Sequence, residues 1–144
     1  MNECCAVVQR IEFKLGASLF KMQINSPSVL AELQAVFDRY ENAVIHNQVN
    51  VLDELFWNDP LTIRYGVAEN LYGYEAIQAF RASRSKGVQR TLSHTVITTF
   101  GDDFATVNTE YQSDGNVRQG RQSQTWMRQP EGWRIVSAHV SWSA

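Results

Sequence analysis

The sequence predicts a single α+β domain in which helices cover one face of a curved antiparallel sheet. Three observations carry that prediction. The first half holds apolar residues at helical spacing, whereas the last third is four β-rich runs divided by hairpin turn signals. The chain has 144 residues, 44% of them hydrophobic and only 19% charged, which suits one compact core. Helices kept apart from an antiparallel meander define the α+β class.

Ser26-Pro27 opens the first helix, with Ser as N-cap and Pro at the first helical position. Val29, Leu33, Val36, Phe37, Tyr40 and Val44 then form one apolar stripe that runs to about His46. Asn50 reads as the cap of a short second helix carrying Val51, Leu52, Leu55 and Phe56, which Asn58-Asp59-Pro60 stops. Leu61 to Tyr65 alternates and is β-rich, with Leu61, Ile63 and Tyr65 on one face and Thr62 and Arg64 on the other. After a turn at Gly73, Tyr74 to Ser85 carries a helical stripe of Ile77, Phe80 and Arg81, closed by Gly87.

Four strands follow: Thr91–Phe100, Phe104–Ser113, Val117–Gln129 and Trp133–Trp142. Gly101-Asp102-Asp103, Asp114-Gly115-Asn116 and Pro130-Glu131-Gly132 separate them as hairpin turns. A curved sheet of such strands, with a long helix across its concave face, encloses a cone open at one end. That hollow is a natural small-molecule pocket.

Thirteen basic against fifteen acidic residues leave a net charge of −2, without the basic footprint of a nucleic-acid binder. No run approaches the ~18 apolar residues of a membrane span. The two cysteines, Cys4 and Cys5, are adjacent near the N-terminus, so neither a disulfide framework nor a thiolate metal site is expected. Arg10, Glu12 and Lys14 interrupt any signal-peptide core. Residues 1–24 read as a poorly ordered N-terminal extension, as an over-long start would give. The domain proper spans 25–144, and a cytoplasmic location is expected. Phosphate-binding, dinucleotide-binding, zincin and nucleophile-elbow motifs are missing, and His46, His94 and His139 form no close pair. No metal and no cofactor are expected.

Alternation leaves open which strand face is inward. Arg64 is therefore either a surface cation or a planar guanidinium that grips a carboxylate inside the pocket. Tyr40 lies on the apolar stripe, as a core tyrosine or as a hydroxyl donor at the pocket wall. His94 and His139 sit on strands, as structural histidines or as pocket groups; strict alternation puts His139 on one face with Trp133, Ile135, Ser137 and Ser141. Glu110, Arg121, Gln122 and Gln124 line either the cone's mouth or a solvated outer face.

The order of elements and the ending Gly132-Trp133-Arg134-Ile135-Val136-Ser137-Ala138-His139-Val140-Ser141 resemble the SnoaL-like branch of the nuclear-transport-factor-2-like (NTF2-like) superfamily. More narrowly, Phe56-Trp57, Thr62-Ile63-Arg64-Tyr65-Gly66 and Gly120-Arg121-Gln122-Ser123-Gln124-Thr125-Trp126 resemble the AtzH-like group. The resemblance covers about residues 25–144. It implies a cone-shaped roll, a homodimer and a decarboxylating amidohydrolase that converts 1,3-dicarboxyurea to allophanate in cyanuric acid degradation. It also implies that Tyr40 and Arg64 are catalytic. His94, Gln124 and His139 are then the expected substrate-binding residues. A pathway amidase is a further expected partner, and the alternative function is a non-catalytic, small-molecule-binding companion of such an amidase in a ureide or oxalurate pathway.

Overall fold

A computed structural model describes the backbone of residues 10–15 and 18–144, with side chains from residue 21 onward. Cys4 and Cys5 lie outside the described residues. In chain order the elements are β1 (Arg10–Leu15), β2 (Ser18–Gln23), α1 (Pro27–Ile45), α2 (Val49–Leu55), β3 (Ile63–Tyr65), β4 (Asn70–Tyr72), α3 (Tyr74–Ala82), β5 (Arg90–Phe100), β6 (Phe104–Ser113), β7 (Gly120–Gln129) and β8 (Gly132–Trp142).

The stripe on α1 is buried as its spacing requires: Val29, Leu33, Phe37, Tyr40 and Ala43 all face the core. Pro27 takes the first turn, but the Ser26 side chain makes no capping bond. The cap expected at Asn50 moves to Gln48, because Asn47 adopts a left-handed conformation (φ 50°) that ends α1 and starts α2 at once.

Six strands form a curved, unclosed sheet in the order β4-β3-β8-β7-β6-β5. The last four strands are the meander the turn signals predict. Two features go beyond the sequence reading. Strand β3 pairs with β8 in parallel, Arg64 opposite Ala138, so one edge of the sheet is not antiparallel. Strand β4 and the separate β1–β2 hairpin are additional. Ile24 is buried and bridges to Phe100, while the Asn25 side chain accepts a bond from the Thr99 backbone N–H; these contacts fix where the chain enters the fold.

The inner sheet face packs on α1 through Val107 on β6, Trp126 on β7 and Ile135 on β8. Trp126 meets the Tyr40 ring edge-on at 6.3 Å, and Phe37 stacks beside that ring at 6.1 Å. A bulge where Trp126 pairs with Ile135 but Thr125 with Ser137 inserts Val136 as an extra residue in β8. Parity flips there. Trp133 and Ile135 point inward before it and Ala138 after it, which turns Ser137 and His139 out to solvent.

The connection from α3 to β5 crosses the C-terminal end of α1. Val88 N–H donates to the Val44 carbonyl, and a Cβ on Gly87 would stand 2.0 Å from the Ile45 carbonyl oxygen. No side chain fits between two backbones at that separation. Gly87→Ala is expected to destabilise the fold by about 1–3 kcal/mol, the usual cost of overpacking, read as a lowered melting temperature.

Candidate active site

Between α1, α3, the β3–β4 turn and the inner sheet lies a cavity of about 440 Å³. Tyr40 and Arg64, distant in sequence, both line it. Tyr40 arrives because it is the last large residue of the α1 stripe before the cavity opens. Its hydroxyl faces Gln122 Oε1 at 3.5 Å, a loose contact. Arg64 arrives by alternation: Thr62 is fully buried, so the next residue but one on that face also points inward.

Arg64 Nη1 donates to Glu69 Oε1 at 2.5 Å, and its guanidinium lies 5.1 Å from the centre of the Phe80 ring. Glu69 reaches it from the β3–β4 turn, which Gly66 N–H closes onto the Glu69 carbonyl. A Cβ on Gly66 would occupy the space of the Glu69 carboxylate, 1.8 Å from Oε1. Glycine at this place lets the ion pair form.

Two more arginines join the wall. Arg90 donates from Nε and Nη2 to Glu41 at 2.8 and 2.7 Å and from Nη2 to Gln122 Oε1 at 3.2 Å. Burial alone would lower its pKa, but the Glu41 carboxylate and the neighbouring tyrosines outweigh that and raise it. Arg81 donates from Nη1 to the Leu52 carbonyl at 2.8 Å and lies 4.0 Å above the Phe56 ring. Its pKa is lowered, first by burial, which disfavours the charge, and also by repulsion from Arg64. Tyr111 is raised, first by burial, with the Arg90 charge opposing. Arg84 and Lys86 add cations at the rim. Five cations against the single carboxylate of Glu69 give the wall an excess of positive charge, which favours negatively charged groups.

The remaining expected residues do not meet there. His94 lies in the β5 bulge with φ 49°, exposed, its Nδ1 2.7 Å from Glu110 Oε2. His139 is exposed on the outer face against the Tyr65 ring, turned out by the extra residue in β8. Gln124 does face inward, but its Oε1 accepts from Trp126 Nε1 in the packed core, away from the cavity. None of these three residues lines the cavity with Tyr40 and Arg64.

The AtzH-like family profile matches residues 22–144. The chain belongs to the AtzH-like family. A solved structure from Pectobacterium atrosepticum, a DUF3225-family protein of unknown function, is 54% identical over 84% of this chain and 95% of that one, with a TM-score of 0.82. A cystatin-like fold protein from Burkholderia xenovorans is 48% identical over 85% and 98% of the two chains, at a TM-score of 0.82. An NTF2-like superfamily protein of Salmonella enterica shares the fold at 24% identity, covering 83% and 94%, with a TM-score of 0.66. No curated protein matches the chain.

In this AtzH-like chain, Arg81, Arg90 and Gln122 are cavity residues that the sequence does not single out as substrate-binding. Arg81 left a signal, a cation on an otherwise apolar helical stripe. Gln122 was visible only as one of several strand residues of undecided facing. Arg90 left none, since it stands at the first position of its strand. Among the described residues no three His, Cys, Asp or Glu side chains cluster as a metal site, and no helix is long and apolar enough to cross a membrane.

Gly66→Ala should keep the fold while driving the Glu69 carboxylate off Arg64. The expected cost is about 1 kcal/mol for the lost, partly screened ion pair. Thermal denaturation measures that cost, and a structure of the variant shows the displaced pair.

Proposed function

We propose that this AtzH-like protein is a decarboxylating amidohydrolase that takes one carboxylate from a small dicarboxylated urea, converting 1,3-dicarboxyurea to allophanate in cyanuric acid degradation. The observation that carries this reading is the meeting of the Tyr40 hydroxyl and the Arg64 guanidinium in one cation-rich cavity. A binding site for an anion needs cations only; a hydroxyl donor beside them adds acid chemistry.

Loss of carbon dioxide from an N-carboxylated urea breaks the bond between nitrogen and the carboxyl carbon. The electron pair of that bond stays on nitrogen and spreads toward the urea carbonyl, so a proton delivered to nitrogen lowers the barrier. Arg64 holds a carboxylate through the guanidinium edge that Glu69 leaves over, since Glu69 occupies only Nη1. Tyr40 donates its proton to the nitrogen as the bond breaks, and water returns a proton to the phenolate. Arg90, bonded to the same Gln122 oxygen that the hydroxyl faces, is placed to stabilise that phenolate. The balance is a dianion plus one proton giving a monoanion plus carbon dioxide.

Tyr40→Phe keeps the Phe37 stack and the Trp126 edge contact, so the protein should fold normally while turnover falls about 10²–10⁴-fold. Arg64→Lys keeps the charge but loses the planar fork, and substrate binding should weaken. The assay follows carbon dioxide and allophanate from dicarboxyurea generated in place, with purified protein. Release no faster than the spontaneous rate overturns the reading.

We also propose a homodimer through the outer sheet face, where Tyr65 packs against Tyr72 at 6.0 Å and His139 at 5.8 Å, leaving Tyr72 exposed. Light scattering at micromolar concentration should give twice the chain mass; a monomer there rules the dimer out.

A further inference from the structure

The three cavity arginines that are at least half-buried, Arg64, Arg81 and Arg90, are not compensated alike. Arg64 has Glu69 at 2.5 Å, and Arg90 has Glu41 on two of its nitrogens. Arg81 is as buried as the α1 core residues, yet no carboxylate lies within hydrogen-bond distance of it: Asp53 Oδ1, the nearest, is 3.6 Å away. That oxygen is itself buried without any hydrogen-bond partner. A buried guanidinium normally acquires a bonded counter-charge, because taking an unpaired charge out of water is strongly unfavourable. Here the Leu52 carbonyl and the face of Phe56 fix the orientation of the group and supply no net charge. Arg81 and Arg64 both line the cavity.

We propose that Arg81 is a substrate-positioning residue that binds the second carboxylate of a dianionic substrate while Arg64 binds the first, which makes the cavity selective for dicarboxylates over monocarboxylates. This deepens the reading of the previous section and rests on it for the identity of the substrate. Two repelling guanidinium groups facing one hollow are both satisfied when a molecule with a carboxylate at each end lies between them. The contact to Arg81 is lost with the departing carbon dioxide, so the product is held less tightly than the substrate. Because Arg81 and Tyr40 border the same space, charge moving from the carboxylate onto nitrogen stays near the same cation. The contact therefore does not favour the ground state alone.

The test uses binding, not turnover. Glutarate carries two carboxyl carbons separated by three atoms, the spacing of a dicarboxylated urea, and pentanoate replaces one carboxylate by a methyl group. Calorimetric titration at low ionic strength should show glutarate binding about tenfold or more tighter than pentanoate, the worth of one charged hydrogen-bonded contact. Arg81→Gln should bring that ratio close to one. Asp53→Asn leaves Arg81 in place and removes its nearest negative charge, so the ratio should rise several-fold; this variant decides the matter if Arg81→Gln does not fold. An Arg81 that only ties α3 to α2 would lower the melting temperature and leave the ratio unmoved in both variants, which overturns the proposal, as does equal affinity in the unaltered protein. A ratio that falls in Arg81→Gln, in a protein that releases no carbon dioxide, sinks the enzymatic reading and keeps the dianion site. Turnover of dicarboxyurea with an unmoved ratio does the reverse.

Discussion

Three guanidinium groups at least half-buried, those of Arg64, Arg81 and Arg90, line one hollow of a small domain, and most of the surrounding structure answers the cost of keeping them there. Two of them hold a bonded carboxylate from another element, Glu41 of α1 on Arg90 and Glu69 of the β3–β4 turn on Arg64, while Asp53 of α2 stands 3.6 Å from Arg81. The elements that close the cavity are thus tied to it by charge as well as by apolar packing. A shift of α1 along the sheet would separate Arg90 from Glu41, and a shift of the turn would free Arg64. The aromatic rings beside these cations, Phe56 under Arg81, Phe80 beside Arg64 and Tyr111 under Arg90, present faces that tolerate a guanidinium better than aliphatic surface does.

The polar residues of the wall divide by how they are held. Arg90 and Gln122 are fixed from two sides, and the Gln122 amide has its oxygen committed to Arg90, which can only donate. Its Nε2 is left buried without a partner, an unmatched donor in the wall of the site. The Tyr40 hydroxyl, by contrast, is held loosely at the same oxygen. A rigid cationic frame around one weakly tethered hydroxyl keeps the arrangement ready while leaving the donor free to turn.

Much of this was legible in the sequence wherever a period runs unbroken. The α1 stripe placed Tyr40 at the buried face, and alternation in β3 paired Arg64 with Thr62, whose complete burial then decides the direction. What the sequence hides are the places where the period breaks. His139 follows an extra residue in β8, so strict alternation groups it with Trp133 and Ile135 when it points the opposite way. His94 sits in a second irregularity, between Ser93 and Val96. Gln124 illustrates another limit: its facing is inward, but alternation does not say where along a strand a packed core gives way to open space. Strand β4 has only three residues, too few for any period to register.

The parallel pairing of β3 with β8 has a consequence for how the protein comes into being. On the ribosome, the segment carrying Arg64 is made early, whereas its neighbour in the sheet, the segment around Ser137–His139, emerges roughly half the chain later. Until then β3 has only the short β4 hairpin beside it, and Arg64 has no wall to lean on. The cation-lined hollow is therefore completed only when β8 has been made, and the cavity wall stays open until that strand docks. Such long-range closure is slow compared with helix formation, which leaves the half-built sheet exposed to chaperones and to other chains while the residues between β3 and β8 are made.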